Sequence, residues 1–239
     1  MKALLIARRE LLAYLRSPLG AIVVAAALLI EGLWFYATAL SAKLLSADVL
    51  REFFNTVSGG TLLAAPILTM RLVAEERQTG TITLLNTAPI RDRDIVIGKF
   101  ISAYVVFAVM TLLTFYMPAL VAVHGKISLG HVLVGYLGIL LLGAAVLAIG
   151  IFGSSLARSQ VVGLIIAAAI EAPLVVLWMV ARAVDPPINE FLSSLALHHQ
   201  NFAPFMVGVL QLQSVIYYIA VTYFFLLAAT KTLEARRWR

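Results

Sequence analysis

Two carboxyl groups, Glu31 and Glu171, stand near the middle of long apolar runs that contain no Lys, Arg or His to neutralise them. A buried acid of that kind binds a cation, carries a proton or hydrogen-bonds a neighbouring segment. The four histidines, His124, His131, His198 and His199, fall in or beside short polar connections, and Met117, Met179 and Met206 lie toward the same ends of their runs. Imidazole and thioether suit copper, but these groups are scattered. His198 and His199 are the only adjacent pair, and no metal site is expected. Gly153-Ser154-Ser155-Leu156 is a near match to a serine-nucleophile motif, yet no histidine lies at its depth to act as base. Gly98-Lys99 precedes Phe100 and lacks the earlier glycine that a phosphate-binding loop needs. With no cysteine, disulfides and thiolate-bound metals are excluded. The chain reads as a non-enzyme without a cofactor of its own.

The elements that hold these residues are set by composition. The 239 residues are 62% apolar and 13% charged, against roughly half and a quarter in soluble domains. Apolar runs able to cross a bilayer occur near 19–40, 100–123, 129–153, 160–181 and 205–230. A shorter one from Val57 to Met70 contains Pro66 and ends at Arg71. Cytoplasmic flanks carry the Lys and Arg excess. Six spans with both ends inside put 14 of the 18 cations there, leaving Lys43, Arg51, Lys126 and Arg182 outside; five spans put only 6 inside. Six spans are therefore expected, and the net charge of +6 reflects topology, with no nucleic-acid partner. Glu31 and Glu171 then lie at matched depth, roughly 15 to 18 Å from the inner surface.

Before the first span, Leu4, Leu5, Leu11, Leu12 and Leu15 share one side of a helix while Lys2, Arg9 and Arg16 recur on another. This pattern predicts an interfacial helix over 1–17 lying on the inner leaflet of the lipid bilayer, ended by Ser17-Pro18. Arg8, Arg9 and Glu10 interrupt the early apolar run, so no cleavable signal is expected. A segment over 184–204, with an amphipathic FLSSLALHH run, is expected to cap the outer end. The fold class is all-α integral membrane with six transmembrane helices, one membrane domain over 1–239.

The connection between the second and third spans, RLVAEERQTGTITLLNTAPIRDRDIVIGKF, is too apolar for a solvated linker. Thr79 to Leu85 is expected to form a short helix presenting Ile82, Leu84 and Leu85, with Gly80 at its start and Pro89 after its end. Exposed leucines there need a partner to cover them.

At these residues the chain resembles the type-2 ATP-binding-cassette exporter permeases, whose loop reads roughly Glu-x-x-x-Gly-Thr-x-x-x-Leu-Leu-x-x-Pro and then Gly-Lys. The matching residues are Glu76 (or Glu75), Gly80, Thr81, Leu84 or Leu85, Pro89 and Gly98-Lys99. Glu10, Tyr14, Ser17 and Pro18 look like that family's approach to its first span. Phe202, Gly208, Tyr217-Tyr218 and Arg236-Arg237-Trp238 resemble the closing segment of the gliding-motility and copper-processing subgroup.

The resemblance implies a transmembrane subunit of the inner (plasma) membrane with both termini cytoplasmic. Its implied partners are a second permease subunit and cytoplasmic ATP-binding subunits, which hold the ATP and Mg. The region 75–90 becomes the coupling helix, with Glu75, Glu76, Arg77, Gly80, Thr81, Leu84, Leu85 and Pro89 transmitting motion and Arg9, Glu10, Tyr14 and Arg16 serving the interfacial helix. Glu31 and Glu171 are expected to line a polar cavity at the permease interface. Two other readings are a permease that transmits force to an integral membrane partner with an extracytoplasmic domain, and a passive channel or scaffold.

Overall fold

The computed structural model describes residues 2–16, 18–40, 46–78, 80 and 90–237. Among them every regular element is a helix, and six segments are long and apolar enough to cross a membrane. The apolar runs contain few backbone breakers, and in hydrocarbon only a helix satisfies each backbone group within its own segment.

Helix α1 (Lys2–Arg16) precedes α2 (Pro18–Phe35), which widens into a π turn at Tyr36–Leu40. The second span is longer than its apolar stretch suggested. Helix α3 runs Ser46–Thr69, turns at Met70 and continues as α4 (Arg71–Gln78). The turn falls four residues after Pro66, with Met70 N donating to Pro66 O at 2.9 Å.

The third span is also interrupted: α5 (Asp92–Leu113) and α6 (Tyr116–His124) flank a turn at Thr114–Phe115. Pro118 accounts for it, since its ring cannot share the helical path with the Thr114 carbonyl and it has no N–H to bond it. Helix α7 (Leu129–Leu156) and helix α8 (Gln160–Ala181) match the expected fourth and fifth spans. The segment expected to cap the bundle holds two short helices, α9 (Ile188–Leu195) and α10 (His199–Met206). The last span, α11 (Leu212–Arg237), therefore starts at Leu212 and not near 205, because α10 ends in a separate turn at Gly208 with φ +76°.

Helix α7 is the axis of the bundle. Of its 28 residues 17 are buried, against four of 22 in α8. It packs on α3, α5, α8, α10 and α11. Its glycines are the notches that admit them: a methyl group at Gly135, Gly138 or Gly143 would overlap the rings of Phe54, Phe205 or Phe107. At Gly153 it would lie 2.8 Å from the Ala167 backbone of α8.

Candidate functional site

The site grows from one close approach. A β-carbon at Gly98 on α5 would sit 2.6 Å from Ala3 O and 2.8 Å from Ile6 Cβ. Only glycine therefore lets α1 lie directly on α5. Helix α1 consequently has two faces. Leu4 and Leu5 stand exposed, whereas Ile6, Ala7 and Tyr14 are buried against the bundle, with Glu10 on the same inward face. The outward leucines were legible from spacing; the inward face was not.

Next to Gly98, the Lys99 side chain has no solvent exposure, and its Nζ lies 2.9 Å from Glu76 Oε1 and 3.3 Å from Glu10 Oε1. Arg9 closes the group from outside, with Nη2 at 2.6 Å from Glu10 Oε1 and 2.8 Å from Glu76 Oε1. Two cations and two carboxylates thus join α1, α4 and α5. Taking Lys99 out of water is costly, and only the paired carboxylates offset that cost. Burial pushes the Glu10 carboxyl up, but Lys99 and Arg9 together outweigh it and hold it below the ordinary carboxylate range. The hydrogen bond to Glu10 leads the effects that hold the Arg9 guanidinium above its usual value.

A second tie follows one turn along α1. The Tyr14 hydroxyl donates to Leu68 O of α3, and the Arg71 guanidinium lies 4.3 Å from the centre of the Tyr14 ring. Burial pushes the Tyr14 phenol well above its ordinary range. Arg16 is exposed at the end of the helix.

Ser154 of α7 fixes the bend between α3 and α4. Its Oγ donates to Met70 O at 2.9 Å and accepts from Val73 N at 3.1 Å and Ala74 N at 3.0 Å. Two of the four first-turn donors of α4, a group with no partner within the helix, are satisfied by this one hydroxyl. The serine that resembled a nucleophile is a structural cap. Arg77 Nη1 donates to Ala157 O at 2.8 Å, tying the far end of α4 to the α7–α8 connection. Glu75 is exposed on α4.

Gly80 closes α4, with φ +74° and its N–H donating to Arg77 O at 3.2 Å. The remainder of the expected 79–85 helix, with Thr81, Leu84, Leu85 and Pro89, lies outside the described residues.

Glu31 and Glu171 are both buried. Helix α2 packs chiefly on α3 and helix α8 chiefly on α7, and α8 also reaches α3.

At the opposite end of the bundle, His198 Nε2 lies 2.7 Å from Ser58 Oγ and the ring stacks on Phe202. Burial, with His199 beside it, lowers the His198 imidazole to about 4. The His199 ring stacks on Trp178 at 4.1 Å, and the Arg182 guanidinium lies 4.4 Å from the same indole. Both histidines border a cleft of about 400 Å³ with Asp48, Arg51, Glu52 and Asn55. Among the described residues no three His, Asp or Glu side chains group as metal ligands. Tyr217 and Tyr218 donate to Leu195 O and Leu197 O, so they clamp the cap to α11.

A family model described as ABC-2 family transporter protein matches residues 4–230. The match identifies the family and does not resolve the gliding-motility and copper-processing subgroup. None of the curated proteins matches the chain.

Proposed function

The chain belongs to the ABC-2 transporter family and is a membrane permease component; on that premise we propose that a separate cytoplasmic ATP-binding subunit drives it as an exporter, through the segment between α4 and α5. What supports this reading is the four-charge cluster of Arg9, Glu10, Glu76 and Lys99. The connection over 79–91 is bracketed by α4 and α5, and the cluster ties both of these helices to α1. A push on that connection therefore moves three helices together, and the Tyr14 and Ser154 contacts pass the displacement to α3 and α7.

In this reading a second permease subunit covers the exposed sides of α2 and α8, where Leu29, Ile30, Leu33, Val161 and Ile165 stand open. ATP and Mg belong to the partner, and both termini lie in the cytoplasm of a cell bounded by the inner (plasma) membrane.

The test is extraction from the native membrane in mild detergent, followed by mass spectrometry of copurifying proteins from wild type and from Leu84→Asp plus Leu85→Asp. A P-loop ATPase that accompanies wild type and is lost from the variant is the expected result. An otherwise intact complex without an ATPase would defeat the proposal. Substrate flux in reconstituted vesicles separates export from force transmission to an integral membrane partner with an extracytoplasmic domain.

A further inference from the structure

Helix α2 touches the bundle along a single seam. Val23, Val24, Ala27 and Leu28 are partly buried and Phe35 is buried, at intervals of three and four residues, while Ile22, Leu29, Ile30, Leu33 and Trp34 between them are exposed. Glu31 occupies the middle of that seam and is only 2% exposed. Its carboxyl lies against Gly60 of α3, where any side chain would overlap Oε1. Neither oxygen has a hydrogen-bond partner among the described residues.

The titratable groups around this notch leave the carboxyl without a counter-charge. On α3, Asp48, Arg51 and Glu52 sit at the end of the helix, Glu52 being about 12 Å along the axis from Gly60. From α6 the Tyr116 hydroxyl approaches Gly32, the residue after Glu31. On α7 the Tyr136 hydroxyl lies within electrostatic reach of the carboxyl and is 3.0 Å from Thr114 Oγ1. On α5 Asp92, Arg93, Asp94 and Lys99 belong to the far end of the helix, and on α1 the charges lie beyond Ser17-Pro18. None of these groups forms a hydrogen bond or an ion pair with Glu31.

An ionised carboxylate held dry and unpaired is far costlier than the neutral acid. A carboxyl in a seam that hydrocarbon would fill more favourably also has to be accommodated, and Gly60 supplies the space. We propose that Glu31 is a proton-binding site of the closed α2–α3 seam, holding its proton while it lies in the Gly60 notch and releasing it to water when α2 parts from α3. The O–H bond of the acid breaks, the electron pair stays on the carboxylate, and a water molecule in the opened seam takes the proton. Seam opening and release of one proton per chain are then a single event, so acid favours the closed seam. The inference rests on the α2–α3 packing and is independent of the exporter reading.

The full chain in lipid nanodiscs tests it by infrared spectroscopy. Exposed carboxyls are ionised at neutral pH, so a carboxylic-acid carbonyl band reports an intramembrane acid. The expected result is a band that persists in Glu171→Gln, where Glu31 is the remaining buried acid of the two and the seam is untouched, and disappears when Glu31→Gln is added to Glu171→Gln. Absence of the band from Glu171→Gln at neutral pH would show an ionised Glu31 and overturn the proposal without relying on a Glu31 variant that folds.

The linkage is read separately. The chain has no cysteine, so Leu33→Cys and Leu63→Cys, both at exposed positions, accept spin labels on α2 and α3. Raising the pH is expected to populate the separated seam by up to about tenfold per unit, with no such response when Glu31→Gln is added. Equal pH responses in the two backgrounds would refute the coupling of proton to seam.

Discussion

Lys99 Nζ and Glu76 Oε1 meet at 2.9 Å across the α4–α5 connection, with the lysine wholly withdrawn from solvent. The contact joins α4 to α5, the two helices that flank that connection. Lys99→Met would remove the buried cation that pairs Glu10 and Glu76, at a cost of about 3 to 5 kcal/mol. The expected outcome is a large loss of thermal stability. In Glu10→Leu plus Glu76→Leu plus Lys99→Met most of that loss should return, because no charge is then stranded. Equal melting temperatures for wild type and Lys99→Met would show that the cluster carries no weight.

The same cluster predicts an acid limit for α1 docking. The Glu10 carboxyl is held below its ordinary value of 4.5, so its contribution is fully present above that value and is lost as the pH falls beneath it. An environment-sensitive dye on Leu4→Cys should report an unchanged α1 through neutral pH and release below about pH 4. In Glu10→Gln the signal should be pH-independent over that range.

Gly98 sets how closely α1 can lie on α5. Gly98→Val places branched carbon where Ala3 O and Ile6 stand within 3 Å of even a single methyl, and the backbone of α1 cannot yield as a flexible side chain would. Faster cleavage by protease within residues 2–16 is the expected readout, with the six-span core retained.

His198 predicts a transition of the same sense, over a higher pH window, at the other end of the bundle. With its imidazole lowered to about 4 from an ordinary value near 6.5, the folded cap binds fewer protons than the unfolded chain between those limits. Stability of the cap therefore falls as the pH drops from about 6.5 toward 4. Hydrogen exchange at 196–202 should accelerate over that window in wild type and stay flat in His198→Gln.

Ser154 meets the backbone of three residues on another helix. Ser154→Ala would leave Val73 N and Ala74 N buried without an acceptor, costing about 1 to 3 kcal/mol, and local exchange at 71–76 should rise more than exchange in α7. Uniform protection in both helices would contradict the role assigned to this hydroxyl.

Much of the layout was legible because hydrocarbon leaves a chain so few options. The run over 160–181 coincides with α8, and the cation count distinguished six spans from five. Periodicity showed the outward leucines of α1 but missed its inward face, since Ile6, Ala7, Glu10 and Tyr14 are mixed in chemistry and gain meaning only from Gly98 opposite. Lys99 carried a signal, a lone cation next to glycine at the start of an apolar run, which a phosphate-loop test could reject without revealing its partners. The break at Thr114–Phe115 was readable from Pro118, whereas the cap of α4 was not: Ser154 lies some eighty residues from the donors it satisfies, and no local pattern reports such a contact.

That separation bears on how the chain is made. Synthesis runs from the N-terminus, so α3 and α4 reach the membrane well before Ser154 has been translated. Until α7 arrives, Val73 and Ala74 have no side-chain acceptor, and the bend at Met70 is free to straighten or fray. The ribosome thus releases a hinge that only the fourth span can lock, which makes insertion of α7 the step that commits the first half of the protein to its final shape.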